Sequence, residues 1–203
     1  MCRSVFGRFL APNSIVGCGI EMAPEAEWSG VKAKYELPDE YVLYLGRVSK
    51  AKVDKLLPYF LRCKAKYGGD AKLVLVGGFE NEIRKFDSPD ILFTGYVSDE
   101  EKTAIVRHAT VMVNPSPMES LSLLMLEGMQ SRIPLLVNGR SKVMKDHCRL
   151  SGAGLWYNNG RDFRKKLHRL LSDPELRRTM SEKARPMCAN TTTGRLSFRN
   201  CER

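Results

Sequence analysis

The chain has 203 residues, of which 43% are hydrophobic and 28% charged, and it carries a formal net charge of +10. That length supports one domain with a full core, and the composition excludes fibrous and fully disordered classes. No apolar run reaches the roughly 20 residues that span a bilayer, and the opening stretch from Met1 to Ala11 lacks the long apolar centre of a signal peptide, so a cytoplasmic location is expected.

Residues 1–40 read as an irregular lead-in or linker. Ile15 to Ile20 forms at most one short strand, and Pro24, Gly30 and Pro38 interrupt the stretch after it. From Tyr41 the pattern becomes regular. Tyr41 to Leu45 is a buried strand ending at Gly46. Val53 to Tyr67 has the apolar spacing of a helix and stops at Gly68-Gly69. Lys72 to Val76 is a second strand closed by Gly77-Gly78, Glu80 to Phe86 a short helix, and Ile91 to Phe93 a third strand. Ser98-Asp-Glu-Glu101 opens a helix with capping-box chemistry. Val111 to Val113 is a fourth strand. Pro115 and Pro117 then hold a loop out of helical conformation, ahead of a helix that runs to about Arg132. Ile133 to Val137 and Gly154 to Tyr157 are the fifth and sixth strands. Two helices come next, Asp162 to Leu171 and Asp173 to Ala184, with Pro174 just after the cap of the second. Residues 186–203 are polar and irregular, as in a disordered tail.

Short strands alternate with helices over residues 41–185, and the strands are apolar on both faces. That pattern argues an α/β, Rossmann-like fold, a parallel sheet flanked by helices on both sides. Ligands of such sheets bind beyond the carboxyl ends of the strands. Gly46, Gly77, Gly95 and the loop at Asn114 all come after strands and so share one rim.

Two acids on that rim carry chemistry. Glu119 and Glu127 have seven residues between them. The first stands just ahead of a helix and the second two turns inside it. Ser120 or Ser122 caps the first turn. Free backbone N–H groups between the acids suit a phosphate, and the carboxylates suit hydroxyls. Phosphate plus hydroxyls describes a nucleotide sugar. Arg47, at the end of the first strand, and Lys52, at the foot of the next helix, form a pair that either clamps a diphosphate or is simply solvated. Phe93 to Val97 ends a strand with backbone groups free for a flat base, or else makes a plain turn.

The remaining features narrow the class. The six cysteines form no Cys-x-x-Cys pair and no His stands at metal-ligand spacing, which argues against a zinc module or a disulfide framework. The basic excess is spread along helices such as Arg161 to Arg169. No Lys/Arg block and no aromatic-interleaved strand points to nucleic acid, and a weak peripheral attraction to acidic lipid is what remains.

Taken together, Tyr44-Leu-Gly-Arg47 with Lys52, Leu75 to Gly78, Phe93 to Val97, Pro115 to Glu119 with Glu127, and Ile133 to Val137 resemble the C-terminal domain of the family 4 retaining glycosyltransferases, which have the two-domain GT-B fold. The match runs from about residue 12 to 185. The resemblance implies that Arg47 and Lys52, beside Gly46, bind the donor diphosphate and stabilise its departure. It implies that backbone groups of Ser120, Leu121, Ser122 and Leu123 meet the diphosphate or the sugar, that Glu119 holds sugar hydroxyls, that Glu127 holds the ribose, and that Val97 meets the base. The chain departs from the family pattern at Ser120-Leu121-Ser122, where glycines are common, and at Val53, where a glycine usually comes after the lysine; Lys50 is the substitute for Lys52.

The resemblance further implies hexosyl transfer with retention, without a metal (no Asp-x-Asp occurs) and without a cofactor, to a saccharide or lipid-linked saccharide in polysaccharide or glycolipid biosynthesis. Ile15 to Ile20 resembles the segment crossing between the two domains, and the acceptor half is missing. A donor-binding subunit or non-catalytic fragment that needs a partner acceptor domain is the alternative. A nucleotide-sugar epimerase or phosphorylase of similar architecture stays open.

Overall fold

Six short strands make one parallel sheet: β1 (Tyr41–Leu45), β2 (Lys72–Val76), β3 (Ile91–Gly95), β4 (Val111–Asn114), β5 (Leu135–Asn138) and β6 (Gly154–Tyr157). They appear in a computed structural model that describes residues 20–80, 83 and 88–188. The order across the sheet is β3-β2-β1-β4-β5-β6. The chain starts mid-sheet, works out to one edge, returns beside β1 and works out to the other. The order reverses between β1 and β4, and at such a point the strand ends splay into a crevice.

Eight helices lie among the described residues: α1 (Trp28–Lys34), α2 (Lys50–Val53), α3 (Leu56–Tyr67), α4 (Asp99–Arg107), α5 (Leu123–Gln130), α6 (Lys142–Ser151), α7 (Gly160–Ser172) and α8 (Pro174–Cys188). The pleat sends alternate strand residues to opposite layers. Tyr41, Leu43 and Leu45 pack with Val31, Ile105, Leu126 and Met144 on the α1, α4, α5 and α6 side. Val42 and Tyr44 pack with Leu57, Phe60, Phe163 and Leu167 on the α3 and α7 side. α8 spans the boundary, with Ala184 in the first core and Met180 in the second.

Several boundaries differ from the sequence expectation, each for a local reason. The helix expected from Val53 to Tyr67 is two pieces. Pro58 has no N–H to give the Asp54 carbonyl and its ring crowds that oxygen, so the helix restarts at Leu56. The fifth strand begins at Leu135, not Ile133, because Ile133 N still donates to Gly128 O at the end of α5 while Arg132 takes a φ of 60°. α6 was not expected. Ser141 caps it by accepting from Met144 N, and Gly152 ends it with a φ of 68°. α8 continues to Cys188, past the expected stop at Ala184. The strand expected over Ile15 to Ile20 lies outside the described residues except for Ile20, as does the helix over Glu80 to Phe86 apart from Glu80 and Ile83; residues 189–203 also lie outside them.

The lead-in is not irregular throughout. Glu27 accepts from Ser29 N and Gly30 N at 2.9 and 2.7 Å, and that cap starts α1. The Trp28 ring stacks on His108 at 3.9 Å, and Glu25 accepts from Arg107 at 2.8 Å. Glu101 takes Lys34 Nζ on one oxygen and the Tyr35 hydroxyl on the other, and it also closes the capping box with Ser98. The Lys34 ammonium, the Ser98 N–H and Tyr35 together hold the Glu101 carboxyl down at about 2, against an ordinary 4.5. A depressed carboxylate contributes stability that is complete above its unfolded value and is lost as pH falls through the folded one. The midpoint of thermal unfolding should therefore drop as pH is lowered from 4.5 towards 2, and Glu101→Gln should flatten that drop. Equal acid slopes in the two proteins would refute the assignment.

Candidate functional site

β1 runs into Gly46 (φ 126°), β2 into Gly77 (φ 129°), and β3 ends at Gly95 (φ 73°). Gly46 N donates to Val76 O at 2.9 Å, and Gly77 N to Gly95 O at 2.8 Å. A side chain at Gly77 would place its Cβ 2.3 Å from the Gly46 carbonyl oxygen. Only bare backbone lets these turns lie side by side. The loops beyond them are tied together as well. Val48 N donates to Gly78 O at 2.9 Å, Glu80 N to Val48 O at 3.1 Å, and the Tyr44 hydroxyl to Arg47 O at 3.0 Å. Arg47 is thus presented from a fixed backbone.

The second wall lies beyond β4. Asn114 is buried; its Oδ1 accepts from Ser116 N at 3.0 Å and its Nδ2 donates to Ser122 Oγ at 2.9 Å. Ser122 Oγ also accepts from Met125 N, capping α5. Asn138 Nδ2 donates to Pro115 O at 2.9 Å. Two asparagines at strand ends therefore pin both ends of the 115–122 loop. The N–H groups of Leu123 and Leu124, in the first turn of α5, have no acceptor within the helix.

Between these walls lies a cavity of about 140 Å³ lined by Tyr44, Gly46, Arg47, Lys52, Asn114, Glu119 and Leu124, among others. Arg47, Lys52 and Glu119, singled out in separate segments of the sequence, come together here. Lys52 and not its substitute Lys50 lines the cavity; Lys50 N instead donates to Glu80 at 3.2 Å. Burial pushes the Tyr44 phenol up to about 12, and the negative charge of Glu119 adds to the rise. A second cavity of about 360 Å³ shares Lys52 and Pro115 with the first and adds Lys55, Asn138 and Arg140. An open groove of about 490 Å³ shares Glu119 and Arg140 and includes Ser120.

The other expected site residues fall around this centre. Ser122 is buried as a cap, Leu123 is exposed, and Leu121 and Val97 rest partly buried on the core. Glu127 does not line the 140 Å³ cavity. It is the fifth residue of α5, about one turn inside rather than two. Its Oε1 accepts from Lys102 Nζ at 3.2 Å, and its Oε2 is buried without a hydrogen-bond partner. Asn114, Tyr44 and Arg140 were missed. Asn114 carries a readable signal, a polar residue closing an apolar strand just before a proline. Tyr44 reads as plain core, and nothing local marks Arg140.

The family model of the glycosyl transferases group 1 matches residues 30–187. The chain belongs to that family. Alpha-D-kanosaminyltransferase of Streptomyces kanamyceticus is 30% identical over 179 residues, covering 81% of this chain and 45% of the relative. The chain therefore spans about half the length of this curated relative. Among solved structures, WaaG, a glycosyltransferase involved in lipopolysaccharide biosynthesis, superposes with a TM-score of 0.71 at 14% identity, over 88% of this chain and 52% of that one. The C-terminal domain of LpcC, a glycosyl transferase group 1 family protein from Francisella tularensis, gives 0.63 at 17% identity, over 79% of this chain and 90% of that one. The doubly wound parallel sheet thus has the Rossmann-like fold of GT-B glycosyltransferase structures, and the family to which the chain belongs is one of enzymes.

Proposed function

We propose that this chain is the donor-binding half of a retaining, metal-independent hexosyltransferase that uses a nucleotide-diphosphate sugar. One observation carries the reading: Arg47, Lys52 and Glu119 line a single cavity at the strand-end rim. Two cations and an acid in one small space suit a diphosphate and the hydroxyls of the sugar beside it. In this reading the Arg47 guanidinium grips the diphosphate by its fork and Lys52 acts as a point charge. The free N–H groups at the start of α5 add their partial positive charge. Glu119 accepts from sugar hydroxyls, Glu127 accepts from a ribose hydroxyl, and the Val97 backbone meets the base.

Transfer breaks the bond between the anomeric carbon and the diphosphate oxygen. The acceptor oxygen attacks from the same face, and its proton passes to the departing phosphate. Negative charge grows on the diphosphate, where Arg47 and Lys52 already stand. Removing one such stabilising group typically costs about 2.7–4 kcal/mol of transition-state stabilisation. The acceptor, a saccharide or lipid-linked saccharide, is held by a separate domain; in support, the described residues form one sheet with one rim, and the chain covers 45% of its curated relative. Titration calorimetry with UDP-, GDP- and ADP-sugars tests the donor reading without needing an acceptor. One of the three should bind with a Kd of about 1 μM to 1 mM, the usual range for enzyme substrates. No heat with any of them overturns it.

A further inference from the structure

The outer surface of one helical layer is lined by cations outside any ion pair. α3 and α7 pack against each other on the same face of the sheet, with Leu57, Phe60, Phe163 and Leu167 buried beneath them. Their outward turns carry Lys55, Arg62 and Lys66 on one helix, and Arg161, Lys165 and Arg169 on the other. All six are exposed, and none joins an ion pair among the described residues. Nearby acids are already engaged: Asp90 holds Lys64 and Asp162 holds Lys166, each at 3.0 Å. Asp54 and Asp70 are exposed acids before and after α3, and Asp162 is the one acid within either helix. The opposite layer differs, for α4 opens with Asp99, Glu100 and Glu101. The α3–α7 layer thus presents six exposed cations outside any ion pair, whereas the opposite layer mixes the acids of α4 with Lys142, Lys145, Asp146 and Arg149 on α6.

We propose that the α3–α7 face docks on an anionic lipid bilayer. The stripes run about 16 and 12 Å along helices that lie about 8–10 Å apart. Two parallel rows of that kind define a plane, which a flat charged surface meets along both rows at once. A duplex is a cylinder and meets fewer of them, and the face offers no exposed aromatic for a base. The exposed large apolar side chains, Tyr96, Met118, Leu123 and Leu150, lie elsewhere. Attachment is therefore electrostatic, without insertion, and each cation near an anionic surface strengthens it about fivefold. The rows begin at the rim. Lys55 lines the 360 Å³ cavity, and Arg161 comes just after the Asn158-Asn159 turn that lines the same cavity. A docked face would stand beside the mouth of the site. The inference does not depend on what that site binds.

Co-sedimentation of the full chain with vesicles tests it, comparing phosphatidylcholine alone with phosphatidylcholine mixed with phosphatidylglycerol, at low and high salt. The chain should bind the mixed vesicles at low salt and leave them at high salt. Reversing Arg62, Lys66, Arg161 and Lys165 to glutamate should weaken binding more than fiftyfold, from the per-cation effect. The control Arg149→Glu, on α6 in the opposite layer, should change it little. Unchanged thermal melting shows that the variants fold, and the single exposed reversal Lys165→Glu, read as a smaller loss, serves if the fourfold variant does not. Undiminished vesicle binding by the reversed protein overturns the proposal. So does binding to duplex DNA with no binding to the mixed vesicles, which would make the face a nucleic-acid surface.

Discussion

Replacing Arg47 with alanine should weaken the binding of the preferred nucleotide sugar by about 10- to 100-fold, the loss expected when a charge-assisted pair of hydrogen bonds is removed. The residue is held from behind, since its carbonyl accepts from the Tyr44 hydroxyl and the next residue is bonded into the Gly78 loop. With the backbone fixed in advance, only side-chain freedom is lost on binding, so removal of the guanidinium shows nearly in full. Arg47→Lys should recover only part of the loss, because an ammonium keeps the charge but not the fork. Lys52→Ala should cost less than Arg47→Ala, and Lys50→Ala should cost almost nothing, because Lys50 does not line the cavity. Glu119→Gln should behave differently. On the proposed reading Glu119 meets the sugar rather than the diphosphate, so the free nucleoside diphosphate should bind as before while the advantage of the nucleotide sugar falls. Calorimetry with both ligands reads each of these. If Lys50→Ala and Arg47→Ala weaken binding equally, the cations act by bulk charge and the cavity assignment is wrong.

The sheet was legible because buried parallel strands are apolar on both faces and glycines punctuate their ends. Tyr41 to Leu45 and Lys72 to Val76 need nothing more than that pattern. Helices were less so wherever a single residue decides a boundary. Pro58 splits α3 from α2 through one missing N–H, and Glu27 starts α1 by a side-chain cap that composition does not reveal. At the site, the sequence carries the charged residues plainly, and Arg47, Lys52 and Glu119 do meet. It does not carry the scaffold. Tyr44 is indistinguishable from a core tyrosine, yet its hydroxyl fixes the Arg47 backbone. The Lys102–Glu127 contact joins two helices across 25 residues of chain, and no spacing rule links them. Charge count gave +10 without its address. Only the packing of α3 beside α7 shows that six exposed cations outside any ion pair share one layer.

The largest effect on stability should come from a glycine with no chemistry of its own. At Gly77 an alanine Cβ would sit 2.3 Å from the Gly46 carbonyl oxygen and 2.9 Å from its carbon. Both are backbone atoms, and Gly46 cannot recede without losing its bond to Val76 O. The φ of 129° is closed to side chains as well. Forced overpacking costs about 1–3 kcal/mol, and a backbone held in such a region about 1–3 kcal/mol more. Together these are a large share of the roughly 5–15 kcal/mol that holds a domain folded. Thermal unfolding of Gly77→Ala should fall by about 5–20 °C, at 2–4 °C per kcal/mol for a chain of this size. Gly95→Ala is the matched comparison: its φ is also positive, at 73°, but an added Cβ meets nothing within 4 Å. It should lose only the left-handed penalty of about 1–2 kcal/mol. Because Gly46 leads directly to Arg47, Gly77→Ala should also weaken nucleotide-sugar binding at temperatures where it is still folded, and Gly95→Ala should not share that loss. Equal melting of the two variants would mean that backbone strain alone sets the cost and that the close approach of the two turns does not build the site.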